Sequence, residues 1–231
     1  AGRTSVIIDA GPPATGNASY NAHASTLAFE LTSGRRPLIV SCGSGAHLGP
    51  DWHRAGRATP SHSTLCLGGY SSARLGKPVK TSGVYRELLV EAPKIVPVEM
   101  SQTAEGVKFE GAHSGYVPPF GLTHARKLSL SLDGRSLAGE DLLIALDDTA
   151  GNAGETVLSD DINPNVDFQI RFHLHPEVDA ALDLGGTTVA IAAKSGEIWI
   201  FRHESKLSLT IEPGVYLEKN QPIPRSSRQI V

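Results

Sequence analysis

Nine histidines occur in this chain of 231 residues, and imidazole is the side chain whose ordinary pKa lets it change charge between about pH 5 and 8. Their placement matters more than their number. In the run Arg171-Phe172-His173-Leu174-His175-Pro176, residues two apart project from the same face of a strand. Arg171, His173 and His175 then share one face, and Phe172 and Leu174 point to a core. Such a polar, partly cationic face suits a carboxylated sugar, a metal or another domain. His23 and His62 each precede a strand-like segment, so both stand at strand ends, where loop-borne sites collect. His113 and Tyr116 fall within Ala112-His113-Ser114-Gly115-Tyr116, with His124 after a Pro-rich turn. A phenol near imidazoles is the equipment of acid–base chemistry. Against these readings, a histidine on an alternating strand is more often packed and hydrogen-bonded than a ligand.

Several chemistries are excluded by missing templates. The sequence holds no Gly-x-Ser-x-Gly elbow, no His-Glu-x-x-His pair, no phosphate loop and no Gly-x-Gly-x-x-Gly unit. Asp147-Asp148 and Asp160-Asp161 lie in an acidic, loop-like stretch. Adjacency does not make a glycosidase pair, and Asp160-Asp161 with Asn163 and Asn165 lacks the spacing of an EF-hand calcium site.

The elements that must hold these residues read as short β-strands separated by Gly, Pro, Asn and Asp. Strands are expected at 4–8, 26–31, 37–40, 63–67, 87–90, 95–100, 107–109 and 122–132. More follow at 142–145, 168–174, 178–182, 187–193, 197–202, 206–211 and 214–217. Within 127–132, Leu128, Leu130 and Leu132 alternate with Lys127, Ser129 and Ser131, the pattern of a half-buried strand. Asp133-Gly134, Gly185-Gly186 and Ser195-Gly196 are turn signals. Stretches 43–61 and 147–165 read as loops, and 228–231 as an added edge strand. No window of about 12 residues or more carries helical periodicity. Short turns without crossover helices predict an all-β fold, a large antiparallel β-sandwich of two packed sheets occupying 1–231 as one domain.

A net charge of −3 gives no general attraction to nucleic acid, and no apolar run reaches the roughly 20 residues that cross a bilayer. Local basic groups are Arg35-Arg36, His53-Arg54 with Arg57, and Arg126-Lys127. Cys42 and Cys66 sit in apolar settings and read as two buried free thiols, with one disulfide as the alternative. Cysteine spacing offers no zinc motif.

The ordered motifs resemble the C-terminal domain of the heparinase II/III family of polysaccharide lyases. His23-Ala24-Ser25-Thr26-Leu27-Ala28-Phe29-Glu30-Leu31 is similar to that family's first hallmark, a His-x-His stretch leading into a strand. Arg36–Gly43 looks like its next strand, and Trp52 with Arg57–Leu65 resembles its Arg-Ser-Thr-x-x-His-Asn-Thr block. His113-Ser114-Gly115-Tyr116 and His124-Ala125-Arg126 resemble its His-Asp-Gly-Tyr and His-x-Arg elements, and Arg171–Pro176 its Phe-His-Leu-His-Pro-like strand.

The resemblance implies a β-sandwich that follows an α/α-toroid domain and helps to cleave uronate-containing polysaccharides, glycosaminoglycans among them, by β-elimination. Most of the catalytic apparatus would lie in the upstream toroid, leaving this chain alone inactive. Asn21, His23, His173 and His175 become the cleft candidates. Arg57, His113, Tyr116, His124 and Arg171 become the substrate-binding candidates. The family's zinc site of two His and one Asp is retained only at His23 and His62, because Ser41 stands at the Asp position. Asn21 replaces the first His of the hallmark and cannot accept a proton. No cofactor is therefore expected, beyond zinc at a degenerate site. The implied partners are an acidic polysaccharide, the toroid of the same protein and a second copy in a homodimer, with no nucleic acid and no membrane insertion. The periplasm or cell envelope is the compartment that the family suggests. A non-catalytic glycan-binding, scaffold or dimerisation module is the alternative.

Overall fold

The computed structural model describes residues 2–81, 83–145, 166–204 and 207–231. The acidic stretch 147–165, with Asp147-Asp148, Asp160-Asp161, Asn163 and Asn165, lies outside the described residues.

Antiparallel sheets make up the chain, as the turn-punctuated pattern predicts. A six-stranded sheet runs in the order Thr4–Ile8, Phe29–Ser33, Arg36–Val40, Phe172–Leu174, Arg225–Ile230, Ile211–Tyr216. A four-stranded sheet runs Leu137–Ala145, Leu122–Ser131, Gly106–Tyr116, Val98–Gln102, and a three-stranded sheet Val178–Asp183, Thr188–Ala193, Ile198–Arg202. Every strand pairing among the described residues is antiparallel.

One continuous core joins the three sheets. It takes Phe29, Leu31, Leu38, Leu174 and Ile230 from the first, Phe109 and Leu128 from the second, and Val189 and Ile191 from the third. Phe172 bridges two of these sheets, its ring 5.9 Å from that of Phe29 and 5.0 Å from that of Phe201. Burying an aliphatic or aromatic side chain of this kind contributes about 1.5–3 kcal/mol, so this cluster is the main source of cohesion.

Several local expectations change. The strands expected at 206–211 and 214–217 are one strand, Ile211–Tyr216, with 207–210 outside any strand, and 87–90 covers the gap between Val84–Arg86 and Leu89–Glu91 and the start of the latter. Residues 228–230 belong to the strand Arg225–Ile230 in the interior of the six-stranded sheet, between Phe172–Leu174 and Ile211–Tyr216, instead of at its edge. Stretch 168–174 is two strands, Phe168–Ile170 paired with Leu65–Leu67 and Phe172–Leu174 paired with Arg36–Val40, because the chain passes from one sheet to another at Arg171. The loop-like stretch 43–61 contains the helix Pro50–Gly56, opened by Pro50 in its first turn with Asp51 beside it. Proline fits that position because the first turn needs no N–H there, and an acid favours the positive helix end. Seven residues are too few to leave a readable period.

Candidate functional site

The polar residues singled out by sequence fall into three groups. The first gathers at the end of the strand Arg36–Val40. The His23 and His62 rings meet edge to face, centroids 5.2 Å apart, with His23 Nδ1 3.2 Å from His62 Nε2. His62 Nδ1 lies 3.1 Å from Ser41 Oγ, and the Ser41 amide donates to Glu30 Oε1 at 3.0 Å. His62 is buried, whereas His23 is half-buried and Asn21 exposed. Burial, then the charges of His23 and His173, push the His62 pKa down to about 3. Burial, then Arg57 and His53, also lowers that of His23. Both rings are therefore neutral near pH 7. A neutral, partly accessible imidazole leaning on a buried one can accept a proton.

The group does not fit a zinc ion. Ser41 and His23 touch opposite nitrogens of the His62 ring, so the three do not converge on one point, and a serine hydroxyl is a poor replacement for a carboxylate. Among the described residues no cluster of three or more His, Cys, Asp or Glu could hold a metal.

The second group is the strand face Arg171, His173, His175. Phe172 and Leu174 join the core as expected, but only His173 of the three lies in the strand, and each of the three has a separate partner. His173 is 3% exposed. Its Nε2 donates to the Pro60 carbonyl at 2.8 Å, which leaves Nδ1 as acceptor for the Cys42 thiol at 3.3 Å. Burial pushes its pKa down to about 4, so His173 carries no charge and the expected cationic face is reduced to Arg171. That guanidinium meets Glu212 at 3.3 Å and Gln169 at 2.5 Å. His175 packs its ring 5.1 Å from Tyr216, which lines a cleft of about 410 Å³ together with Ser41 and Glu30.

The third group is buried. Arg126 Nε donates to Asp141 Oδ1 at 2.8 Å and its second terminal nitrogen to Oδ2 at 2.9 Å. The remaining guanidinium nitrogen serves the carbonyls of Leu27 and Ser63, at 2.8 and 2.9 Å. A chain of imidazoles continues from the carboxylate. The Gly115 amide donates to His113 Nδ1 at 3.0 Å, so His113 Nε2 must carry the proton given to His124 Nδ1 at 3.1 Å. His124 Nε2 then donates to Asp141 Oδ1 at 2.7 Å. Each neutral ring has one donor and one acceptor nitrogen, and this order satisfies all of them. Tyr116, 0% exposed, donates to the Leu65 carbonyl at 2.8 Å. Arg57, 1% exposed, ties the carbonyls of Ala22, Glu87 and Ser19 together. His113, Tyr116, His124 and Arg57 thus have their polar atoms committed to the interior. They shape surfaces from behind.

Sequence reasoning missed Asp141, Ser114 and Tyr70. Asp141 was legible: a turn centred on Asp133-Gly134 sets the register that places Arg126 opposite Asp141. Ser114 and Gly115 form a bulge in the strand Gly106–Tyr116, where pairing breaks between His113 and Tyr116. That bulge forms part of the wall of an open cleft of about 1230 Å³, which also includes the exposed ring of Tyr70.

Comparison with known proteins follows the same outline. The family described as heparinase II/III-like, C-terminal, matches residues 1–231. FtsZ-localized protein C of Caulobacter vibrioides is 32% identical over 239 residues, covering 100% of this chain and 38% of that protein. The heparan sulfate lyase HepC of Pedobacter heparinus superposes with a TM-score of 0.68 at 15% identity, over 98% of this chain and 30% of its own. A heparinase III structure with methylated lysines gives 0.65 at 14% identity, over 98% and 29%. At such identities the two structures speak for the fold alone. The chain spans well under half the length of each of these relatives. With the family match running through its whole length, this chain belongs to the heparinase II/III-like, C-terminal domain family.

Proposed function

We propose that this chain is the supporting β-domain of a lyase that cleaves uronate-containing polysaccharides by β-elimination, working with an α/α-toroid domain elsewhere in a longer protein. The observation that carries the reading is His23, neutral and half-buried at the surface beside exposed Asn21, its ring held by buried His62. β-Elimination needs a base for the C5 proton and an acid for the departing oxygen. A neutral His23 accepts or relays a proton at the edge of a glycan cleft. Asn21 contributes only hydrogen bonds. His62 and Ser41 orient His23, and no zinc is needed for that. The toroid would supply the remaining acid–base groups, so the chain alone is inactive.

The test follows ultraviolet absorbance of unsaturated uronate ends across a panel of acidic polysaccharides, with the longer protein, its His23→Ala variant and this chain alone. Product from the longer protein, reduced in the variant and absent from the chain, supports the reading. No product from the longer protein on any polymer counts against it.

A second reading is a non-catalytic scaffold, and two observations favour it. Asn21 and Ser41 stand where the family has chemically active residues, and the relative at 32% identity is named for its localization with FtsZ. Co-sedimentation of the chain with FtsZ polymers, without lyase activity in the longer protein, would select this reading.

A further inference from the structure

A cleft of about 1230 Å³ opens between the helix Pro50–Gly56 and the bulge at Ser114. We propose that it binds a segment of an acidic glycan, with Tyr70 as the stacking platform and Lys94, Arg54 and Arg74 as the cationic rim. The inference rests on the lyase reading above and gives that reading a binding surface outside the His23 group.

Charge is the first argument. Four basic side chains, Arg54, Arg57, Arg74 and Lys94, line the cleft against two acidic ones, Asp51 and Glu91. This balance is opposite in sign to the net charge of −3 of the whole chain. Arg57 is committed to internal carbonyls. Arg54 and Arg74 are each paired with a glutamate at the surface, an arrangement worth little in water and readily exchanged for a ligand carboxylate. Lys94 is exposed and has no ion-pair partner among the described residues.

Shape is the second argument, and it separates a glycan from an acidic peptide. The Tyr70 ring is 56% exposed and still fixed in place. Phe120 braces it edge-on at 5.3 Å and 89°, and its backbone amide donates to Leu67 at 2.9 Å. A rigid, amphipathic ring suits the apolar face of a sugar and loses little entropy on binding. Pro118 and Pro119 supply further flat apolar surface, and Ser71 and Ser114 supply hydroxyls.

The buried histidines give this wall its rigidity. His113 Nδ1 accepts the Gly115 amide, and through His124 the bulge is tied to the Arg126–Asp141 pair. A Cβ at Gly115 would lie 2.3 Å from the Ser72 carbonyl oxygen, so only glycine lets the bulge approach the opposite wall. Bulges commonly re-aim a side chain toward a site in this way. His113 and His124 are therefore positioning residues for the cleft.

The experiment titrates the chain with an oligomannuronate hexasaccharide, with neutral cellohexaose and with a poly-glutamate peptide, by calorimetry. Tyr70→Ala and Lys94→Ala are made in parallel. Both residues are exposed, so the urea midpoint of each variant should match that of the parent and exclude misfolding. The uronate oligosaccharide is expected to bind most tightly and to weaken with added salt. Affinity should fall roughly tenfold in Tyr70→Ala, the size of one aromatic contact, and severalfold in Lys94→Ala. Binding that neither variant weakens, no oligosaccharide binding, or preference for poly-glutamate would each overturn the cleft assignment. Lyase turnover by the longer protein with an unchanged KM in Tyr70→Ala would overturn it too, while leaving the lyase reading intact.

Discussion

Arg126 and Asp141 face each other across adjacent antiparallel strands and form a two-point ion pair, with bonds of 2.8 and 2.9 Å, inside the protein. The arginine is 1% exposed and the aspartate side chain 10%. Two further carbonyls and His124 complete the shell. Leu27, whose carbonyl is one of these acceptors, has the positive φ of 63° that side chains rarely adopt. Bulk around Leu27 and the guanidinium together hold that strained backbone.

Removing one partner of such a pair leaves an uncompensated buried charge. Asp141→Ala should therefore cost about 3–5 kcal/mol of stability, read from urea denaturation. Replacing the pair together, as Arg126→Met with Asp141→Leu, should cost less than the single change. A single variant within about 0.5 kcal/mol of the parent would refute the burial argument.

Acid should unfold this protein in a window set by its buried histidines. His62 and His113 are held neutral with pKa values pushed down to about 3, and His173 to about 4, by burial first. Unfolded, each would take up its proton near pH 6.5. Below that pH the unfolded state binds more protons than the folded one, so stability present above pH 6.5 is lost as pH falls toward the folded values. Each group should cost about 1–2 kcal/mol between pH 7 and pH 5. Asp141 extends the effect at lower pH. Burial opposes its charge, but Arg126 and the hydrogen bonds from His124 and Arg126 hold it below the usual carboxylate range. The measurement is the thermal midpoint against pH, and a flat profile from pH 7 to 5 would contradict the assignment of three neutral buried rings.

Zinc should be substoichiometric. The two rings of His23 and His62 with the Ser41 hydroxyl offer two nitrogens and a weak oxygen on opposite sides of one ring, and three converging ligands are the usual minimum. Elemental analysis of the dialysed chain should find less than one equivalent. A full equivalent that disappears in His23→Ala would show that the rings converge on a metal after all.

Both cysteines should be silent toward thiol reagents in the folded state. Cys42 and Cys66 are free and buried. Burial pushes the Cys42 thiol up to about 11, with Ser61 and Arg171 acting against the shift, and it raises Cys66 as well. Reactivity follows the thiolate. Two thiols should titrate in denaturant and close to none in buffer, and rapid native labelling of Cys42 would count against its placement beside His173.

Local chemistry was legible in the sequence where it is set by neighbours in the chain. Alternation at Lys127–Leu132 gave a strand with Leu128 inward, although the strand ends at Ser131 and leaves Leu132 exposed, and Thr4–Ile8 appears with the bounds that its pattern predicts. The spacing of Arg171, His173 and His175 predicted one shared face, but only His173 lies in the strand Phe172–Leu174 and the three side chains meet separate partners. The ordered His, Arg and Tyr motifs pointed to the family. What covers a face was not legible. His173 looks away from the main core, yet the segment around Pro60 closes over it and turns a cationic candidate into a neutral, hydrogen-bonded ring. The interior place of Arg225–Ile230 depends on a partner strand more than 50 residues earlier in the chain, Phe172–Leu174. The hairpin turned at Asp133-Gly134 sets Asp141 opposite Arg126 and within reach of His124, but the carbonyls of Leu27 and Ser63 that close over this pair come from distant segments. Strand period, turn type and residue chemistry are properties of a few adjacent residues. Burial, desolvation and ion pairing depend on what the rest of the chain brings against them, so only the tertiary structure decided that His62, His113, His124 and His173 are buried supports and that His23 still meets solvent.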